Sequence, residues 1–343
     1  VFFFGERMKR NDIRLGLPSK GRLESGALDF LASCGLQVRK PNPRQYQAII
    51  PVLPGVKVIF QRPGDIVVGV RSGSIDFGIT GLDIVEEQRA TRGDVVVLHD
   101  ELGFGRCTLE LAVPEGWADV RSLQALAARL EELPGPLRVA TKFPELTGDY
   151  LAANGLPGCE LISAEGTLEV APAVGYADII ADLVSSGQTL RDNRLHTLSD
   201  GCILQSQAVL IGNRASLRER PEALTVAREL LEFAEAHLRA QRYYIVVANM
   251  REPSAQAVAE RMFAETELGG LQGPTVSRVV TREGQADMCA VEVVVPKERL
   301  GQAVNELRAI GGSGVVVSPV SYIFEEEPER YAALLVALDI REK

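Results

Sequence analysis

The sequence predicts a two-lobed α/β core followed by a smaller ferredoxin-like βαββαβ unit. Three observations predict it. Short apolar runs alternate with helical stretches from Ile13 onward. A glycine three residues before an aspartate occurs twice at a helix-to-strand junction, in VRSGSIDFGITGLD and in APAVGYADIIADLV. The texture then changes after an amphipathic helix at residues 221–241. At 343 residues the chain is also too long for one ordinary core.

Taken in order, IRLGLPS reads as a strand, GRLESGALDFLASCG as a helix and VKVIFQ as a strand. DIVVGVRSG is a short helix ended by Gly73, IDFGITG a strand and LDIVEEQRA helical. VVVLHDELGFGRCTLELAVP holds two strands around a glycine-bearing crossover, residues 119–133 an amphipathic helix, and LRVAT a further strand. In the echo, Gly73 and Asp76 would match Gly175 and Asp178, placing a ligand cleft between two similar lobes. The expected boundaries are an N-terminal extension at 1–12, lobe I at 13–107 and 191–220, and lobe II at 108–190. Residues 221–241, with Pro221 at the start, space Leu224, Ala227, Leu231, Ala234 and Leu238 on one face of a connecting helix. Residues 242–324 order as βαββαβ, the split unit often used for regulation or assembly. Residues 325–343, opening on Glu325, Glu326 and Glu327, read as an acidic tail.

A hydrophobic content of 46% with 24% charged residues belongs to a globular chain, and a formal charge of −9 argues against nucleic acid as the partner. Nothing approaches a membrane-spanning helix. Cys34, Cys107, Cys159, Cys202 and Cys289 are dispersed, which suits a reducing compartment and a cytoplasmic protein. His99, His196 and His237 form no zinc-like spacing and read as structural. The opening VFFFGERMKR has the wrong order for a secretory signal, and Met8 is a candidate start.

The chemistry concentrates in EGTLEVAPAVGYADIIADLVSSGQTL, residues 165–190. An ionised aspartate in a half-buried strand is costly unless bonded or paired. Asp182 is followed by Ser186, Gly187, Gln188 and Thr189, a strand–loop–helix junction whose N–H groups and hydroxyls converge on a phosphate. An acid just before such a loop would accept instead from the vicinal hydroxyls of a ribose whose 5-phosphate lies in the loop. Glu165, Glu169, Asp178 and Asp182 in one short region also suggest Mg²⁺ bridged through pyrophosphate, with Glu165 as a further metal donor.

The spacing Glu169–x5–Gly175–x–Ala177–x2–Ile180–x–Asp182–Leu183–x2–Ser186–Gly187–x–Thr189–Leu190 resembles the signature of the ATP phosphoribosyltransferases. LGLPSKGRL at 15–23, RPGDI at 62–66, DFGITGLD at 76–83, GFGRCTLELAVP at 103–114, RVATKFP at 138–144 and the late GVVVSPVSYIF are similar to that family too. The resemblance spans roughly residues 13–324 and implies a bilobed core of the periplasmic-binding-protein (type II) kind with an ACT-like regulatory domain. It implies condensation of ATP with 5-phosphoribosyl-1-pyrophosphate, the step that opens histidine biosynthesis. Ser185, Ser186, Gly187 and Thr189 would hold the 5-phosphate and Asp182 the ribose hydroxyls. Lys20, Arg22 and Arg62 would stabilise the leaving pyrophosphate with Mg²⁺, while Glu169 and Asp178 flank the developing positive ribose. Gly81, Asp83 and Lys142 would contact ATP. Seven lysines against thirty arginines make Lys20 and Lys142 stand out. Feedback inhibition by histidine and a homohexamer are implied as well, although the turn ANMREPS departs from the family's usual one. The alternatives are a bilobed binding or regulatory protein, or a phosphoribosyltransferase with another acceptor.

Overall fold

The computed structural model describes residues 12–40, 42, 45–164, 166–280 and 287–340. The chain forms two units, residues 1–231 with 329–343, and residues 232–328 inserted between them in sequence.

The first unit opens with β1 (Ile13–Pro18), α1 (Gly21–Ser33), β2 (Gln47–Ile49), β3 (Val56–Gln61), α2 (Pro63–Arg71), β4 (Phe77–Gly81), α3 (Leu82–Glu87) and β5 (Val95–His99). There follow β6 (Cys107–Pro114), α4 (Leu123–Leu130), β7 (Arg138–Thr141), α5 (Pro144–Ala153), β8 (Glu160–Ser163), α6 (Ala171–Val174), β9 (Ile179–Val184), α7 (Gln188–Asp192) and β10 (Leu195–Ser206). The chain then returns through β11 (Ala208–Asn213) and α8 (Arg214–Glu219) to α9 (Pro221–Ala240), whose residues from Glu232 on belong to the second unit. Among the described residues, one sheet runs β2-β3-β1-β4-β11-β5 and the other β10-β6-β9-β7-β8.

The two sheets repeat one plan. In lobe I, β3, β1 and β4 are parallel and β11 is antiparallel beside β4. In lobe II, β8, β7 and β9 are parallel and β6 is antiparallel beside β9. Every residue of β4 is buried, as both faces of a helix-covered strand should be. The glycine–aspartate echo falls at matching places. Gly73 and Gly175 both adopt positive φ, at 71° and 86°, just before β4 and β9. Asp76 then accepts the Arg14 N–H at 2.8 Å, and Asp178 accepts the Arg138 N–H at 2.9 Å. Each aspartate ties its strand to the start of the neighbouring parallel one.

One boundary shifts. Residues 195–206, expected in lobe I, form β10 and pair with β6 in the second sheet, so the chain returns to lobe I only at Ala208. β6 needs an antiparallel partner on its open edge, and β10 supplies it.

The inserted unit contains β12 (Tyr243–Met250), α10 (Ala255–Glu265), β13 (Thr275–Arg278), β14 (Cys289–Pro296), α11 (Leu300–Ala309) and β15 (Ser313–Pro319). Its sheet order β13-β14-β12-β15 is the ferredoxin-like arrangement. Along β14, Cys289, Val291, Val293 and Val295 are buried in alternation and meet Val258 and Met262 of α10 and Leu307 of α11. In the departing turn, Glu252 is held by Arg261 at 2.8 Å and Ser254 caps α10 through the Ala257 N–H.

The acidic tail is not a tail. Residues Glu329–Leu338 form α12 in the first unit, where Tyr331, Leu334, Leu335 and Leu338 are buried as it packs on β5 and α8. Arg330 pairs with Asp100 at 2.8 Å, and Arg214 donates to the Ala337 carbonyl at 3.1 Å.

Candidate active site

Parallel strands end on one edge of each lobe, and ligands of open α/β sheets bind outside those carboxyl ends. In lobe II that edge carries Lys142 after β7 and the 185–189 loop after β9. The parallel register pairs Thr141 with Ala181, so Lys142 and Asp182 come next to each other. Asp182 accepts the Leu183 N–H at 2.8 Å. Burial raises its pKa; that bond and the Lys142 charge act against the rise, and Glu169 adds to it. An aspartate held so thinly in a strand retains acceptor capacity for a ligand's hydroxyls.

Ser185 and Ser186 are exposed at the tip, and Gly187 adopts φ 69° before α7 begins. A side chain there would be strained, so glycine is what allows the turn. Ser186 Oγ accepts the Gln188 N–H at 3.4 Å, and Thr189 is exposed in the first turn of α7. Arg191, one turn on, donates to the Ser186 carbonyl at 3.1 Å and to Gln188 Oε1 at 3.0 Å. Arg191 lies outside the motif, and its one signal in the sequence is a cation four residues after Gly187.

In lobe I the matching edge carries Lys20 after β1 and Arg62 after β3. Register places Pro18 beside Gln61, and the Ser19 N–H continues the ladder to the Gln61 carbonyl at 2.8 Å. Lys20, Arg22 and Arg62 are exposed, and their side chains bond to no other described residue. Three cations left unpaired at one sheet edge make a surface that attracts polyanions.

The lobes meet along this same side. Glu87 of α3 accepts the N–H groups of Glu145 and Leu146 at 2.9 and 3.0 Å, capping α5 of the other lobe. Arg89 pairs with Glu145 at 2.6 Å and with Asp149 at 3.0 Å. Since α3 follows β4 and α5 follows β7, the two carboxyl edges are brought toward each other. At the crossover, a cavity of about 440 Å³ is lined by Glu101, Arg106, Thr108, Ser185, Ser206 and Gln207. It therefore opens beside the 185–189 loop.

Two site assignments are corrected. Asp178 does not reach the loop: it stands at the opposite end of β9, about 20 Å away along six extended residues. Its carboxylate is taken up by Arg138, with Nη2 at 2.7 Å, Nε at 3.2 Å and the backbone N–H. Burial would raise the Asp178 pKa, but the Arg138 bonds and charge outweigh it and hold it below its ordinary value. Asp83 is likewise taken up by the protein itself. It is 4% exposed and accepts Ser206 Oγ–H at 2.6 Å, while its own N–H donates back to Ser206 Oγ at 3.0 Å. This joins α3 to the end of β10, and burial pushes the Asp83 pKa up against the lowering bond from Ser206. Gly81 permits that arrangement, because a Cβ there would collide with Asp83 Oδ1. Glu165 lies outside the described residues. Among the described residues no group of three His, Cys, Asp or Glu side chains could hold a metal alone.

Comparison with known proteins gives a consistent result. Residues 62–233 match the family model for ATP phosphoribosyltransferase, and residues 240–322 match that for the HisG C-terminal domain. The chain is similar to ATP phosphoribosyltransferase 2, chloroplastic, of Arabidopsis thaliana, with 48% identity over 96% of this chain and 82% of the relative. It is 35% identical to the ATP phosphoribosyltransferase of Methanocella arvoryzae, over 91% of this chain and 99% of the other. Among solved structures it is similar to a chain of the ATP phosphoribosyl transferase (HisG:HisZ) complex from Thermotoga maritima. There the TM-score is 0.51 at 25% identity, covering 65% of this chain and 98% of that one.

Proposed function

This chain belongs to the ATP phosphoribosyltransferase family, and we propose how its cleft performs the reaction that the family name describes. It is a transferase that joins ATP to 5-phosphoribosyl-1-pyrophosphate, the first step of histidine biosynthesis. Adenine N1 brings its own lone pair to C1 of the ribose. The C1–O bond breaks, and its electron pair leaves with pyrophosphate. No side chain is needed as a base to form that bond, so catalysis rests on orientation and charge.

One observation carries this reading: a signature phosphate loop with a thinly bonded Asp182 on one lobe, and unpaired Lys20, Arg22 and Arg62 on the corresponding edge of the other. Ser185, Ser186, Gly187 and Thr189 hold the 5-phosphate, and Asp182 accepts from the ribose hydroxyls. Lys20, Arg22 and Arg62 receive the pyrophosphate, where negative charge grows as the bond breaks. Glu169, electrostatically coupled to Asp182, flanks the ribose as positive charge develops. Lys142, beside Asp182, reaches the ATP phosphates, and the Gly81 turn borders ATP from lobe I.

We propose Mg²⁺ as the metal of this reaction. The chemistry of the donors suits it: Asp182 and Glu169 provide oxygen ligands beside a loop for phosphate, and Mg²⁺ is ordinarily held by one or two carboxylates with phosphates and water. When bound, it would neutralise charge on the departing pyrophosphate. The inserted unit is proposed as the histidine-responsive part and as a contributor to a homohexamer, on the family reading of its ferredoxin-like sheet. Among the described residues no helix is long and apolar enough to cross a membrane. The Arabidopsis relatives are named chloroplastic, and five free thiols here suit a reducing compartment, cytoplasm or plastid.

The test mixes the protein with ATP, phosphoribosyl pyrophosphate, Mg²⁺ and pyrophosphatase and follows the ultraviolet change of N1-ribosylated adenine, with and without histidine. Product suppressed by histidine supports both units' roles. Product indifferent to histidine removes the effector role, and absence of product removes the reaction.

A further inference from the structure

We propose that Arg191 is the positioning residue of the phosphate loop, aiming the Gly187 N–H at the 5-phosphate. The inference rests on the reading above that this loop takes that phosphate. Arg191 Nη2 donates to two acceptors on either side of Gly187, the Ser186 carbonyl at 3.1 Å and Gln188 Oε1 at 3.0 Å. Gln188 is itself held, its amide donating to Asp192 Oδ1 at 2.6 Å. Its Nη1 lies 3.0 Å from where a Gly187 Cβ would stand, so the guanidinium occupies the space that glycine leaves open.

The consequence follows from peptide geometry. A trans peptide is planar, and its C=O and N–H point in opposite directions. A guanidinium that pins the Ser186 carbonyl on one side therefore aims the Gly187 N–H to the other. That N–H has no hydrogen-bond partner among the described residues. A phosphate oxygen would take it. Charge acts in the same sense: Asp182 lies in the second half of β9, with the Glu169 charge acting on it, and a phosphate dianion brought beside those acids is repelled. A cation bonded to the loop itself offsets that repulsion. Lysine would supply the charge, but not the flat guanidinium whose Nη2 bonds both acceptors while Nη1 lies against Gly187.

The test compares the full-length wild-type protein with Arg191→Gln and Arg191→Lys. Titration calorimetry measures binding of ribose 5-phosphate, which carries only the 5-phosphate, and of pyrophosphate, which mimics the leaving group; steady-state kinetics supplies KM and kcat. In Arg191→Gln, ribose 5-phosphate affinity and the KM for phosphoribosyl pyrophosphate should each worsen about tenfold, the scale of one charge-assisted hydrogen bond. Pyrophosphate affinity and the KM for ATP should stay within about twofold, and kcat within about threefold, on the same single-bond scale. Arg191→Lys should fall between the two. Equal weakening of both ligands, or none, overturns the proposal. If Arg191→Gln melts early, Arg191→Lys alone decides: ribose 5-phosphate binding that matches wild type overturns it. Wild-type protein that ignores ribose 5-phosphate would sink the reading of the loop, which is a different failure.

Discussion

Asp178 just precedes β9 and Asp182 lies four residues on, in its second half, and the two have opposite lives. Asp178 spends its carboxylate on Arg138, through both the side chain and the backbone. Asp182 accepts one N–H from its own neighbour, and burial raises its pKa. The first closes the structure at the start of β9; the second stays available at the end where the cleft lies. What separates a carboxylate left open for a ligand from a structural one here is strand direction and how many of its acceptor sites are already used, more than residue type or sequence neighbourhood.

The comparison can be broken by mutation. Asp182→Asn should reduce kcat/KM for phosphoribosyl pyrophosphate about a thousandfold, roughly 4 kcal/mol of transition-state stabilisation. Its melting temperature should hold or rise, since a carboxylate that is costly to bury is replaced by a neutral amide. A melting point that fell with activity would place Asp182 with Asp178. Asp76 is the lobe I counterpart of Asp178 and is fully buried, bound by Arg220 at 2.8 Å, Ser216 Oγ at 2.5 Å and the Arg14 N–H. Asp76→Asn should lower unfolding stability by about 3 kcal/mol in urea titrations, because it removes the buried charge that the half-buried Arg220 pairs with. The folded fraction should keep its kcat.

His99 asks whether standing at the cleft end of a strand is enough. It ends β5 but is 2% exposed, and its Nδ1 accepts the Glu101 N–H at 3.2 Å. Burial first, then the Arg330 charge, lower its pKa from 6.5 to about 4, with Asp100 acting the other way. The neutral ring is therefore favoured in the folded state, and the stability it contributes is present above pH 6.5 and lost as pH falls through about 4. His99→Gln should flatten the unfolding free energy across that window by about 2 kcal/mol, with kcat within about threefold at pH 8. A large loss of kcat there would give His99 a place in the site. Asp178→Asn should show the smallest effect, below that of Asp76→Asn because water reaches its partner. Asp178 has a depressed pKa, so the deficit should be present at neutral pH and fade as pH falls below 3.8, where the wild-type carboxylate also protonates.

Much of this was legible in the sequence. The loop signature, the cations after β1 and β3, and the βαββαβ order depend on local patterns that survive without tertiary knowledge. Asp83 was misread because its partner, Ser206, lies 123 residues away, and only folding brings β10 under α3. Asp178 was misread although its echo with Asp76 was visible. The repeat itself argued for a shared structural role, since only lobe II follows its aspartate and strand with the 185–189 loop. α12 was hidden by three glutamates: the stripe of Tyr331, Leu334, Leu335 and Leu338 has helical spacing, but the charge before it suggested solvent. Arg191 escaped notice because its effect runs through a peptide plane, which no motif records.

The late helix also sets a timetable for synthesis. Lobe I is begun by residue 13, yet it acquires β11 only after all of lobe II has been made, and α12 only after residues 232–328. Until then the groups that α12 covers on β5 and α8 have no cover, and β4 and β5 lack the strand that lies between them. A ribosome-bound chain therefore carries an unfinished sheet with exposed edges for most of its translation, the state in which a nascent chain most needs protection from its neighbours.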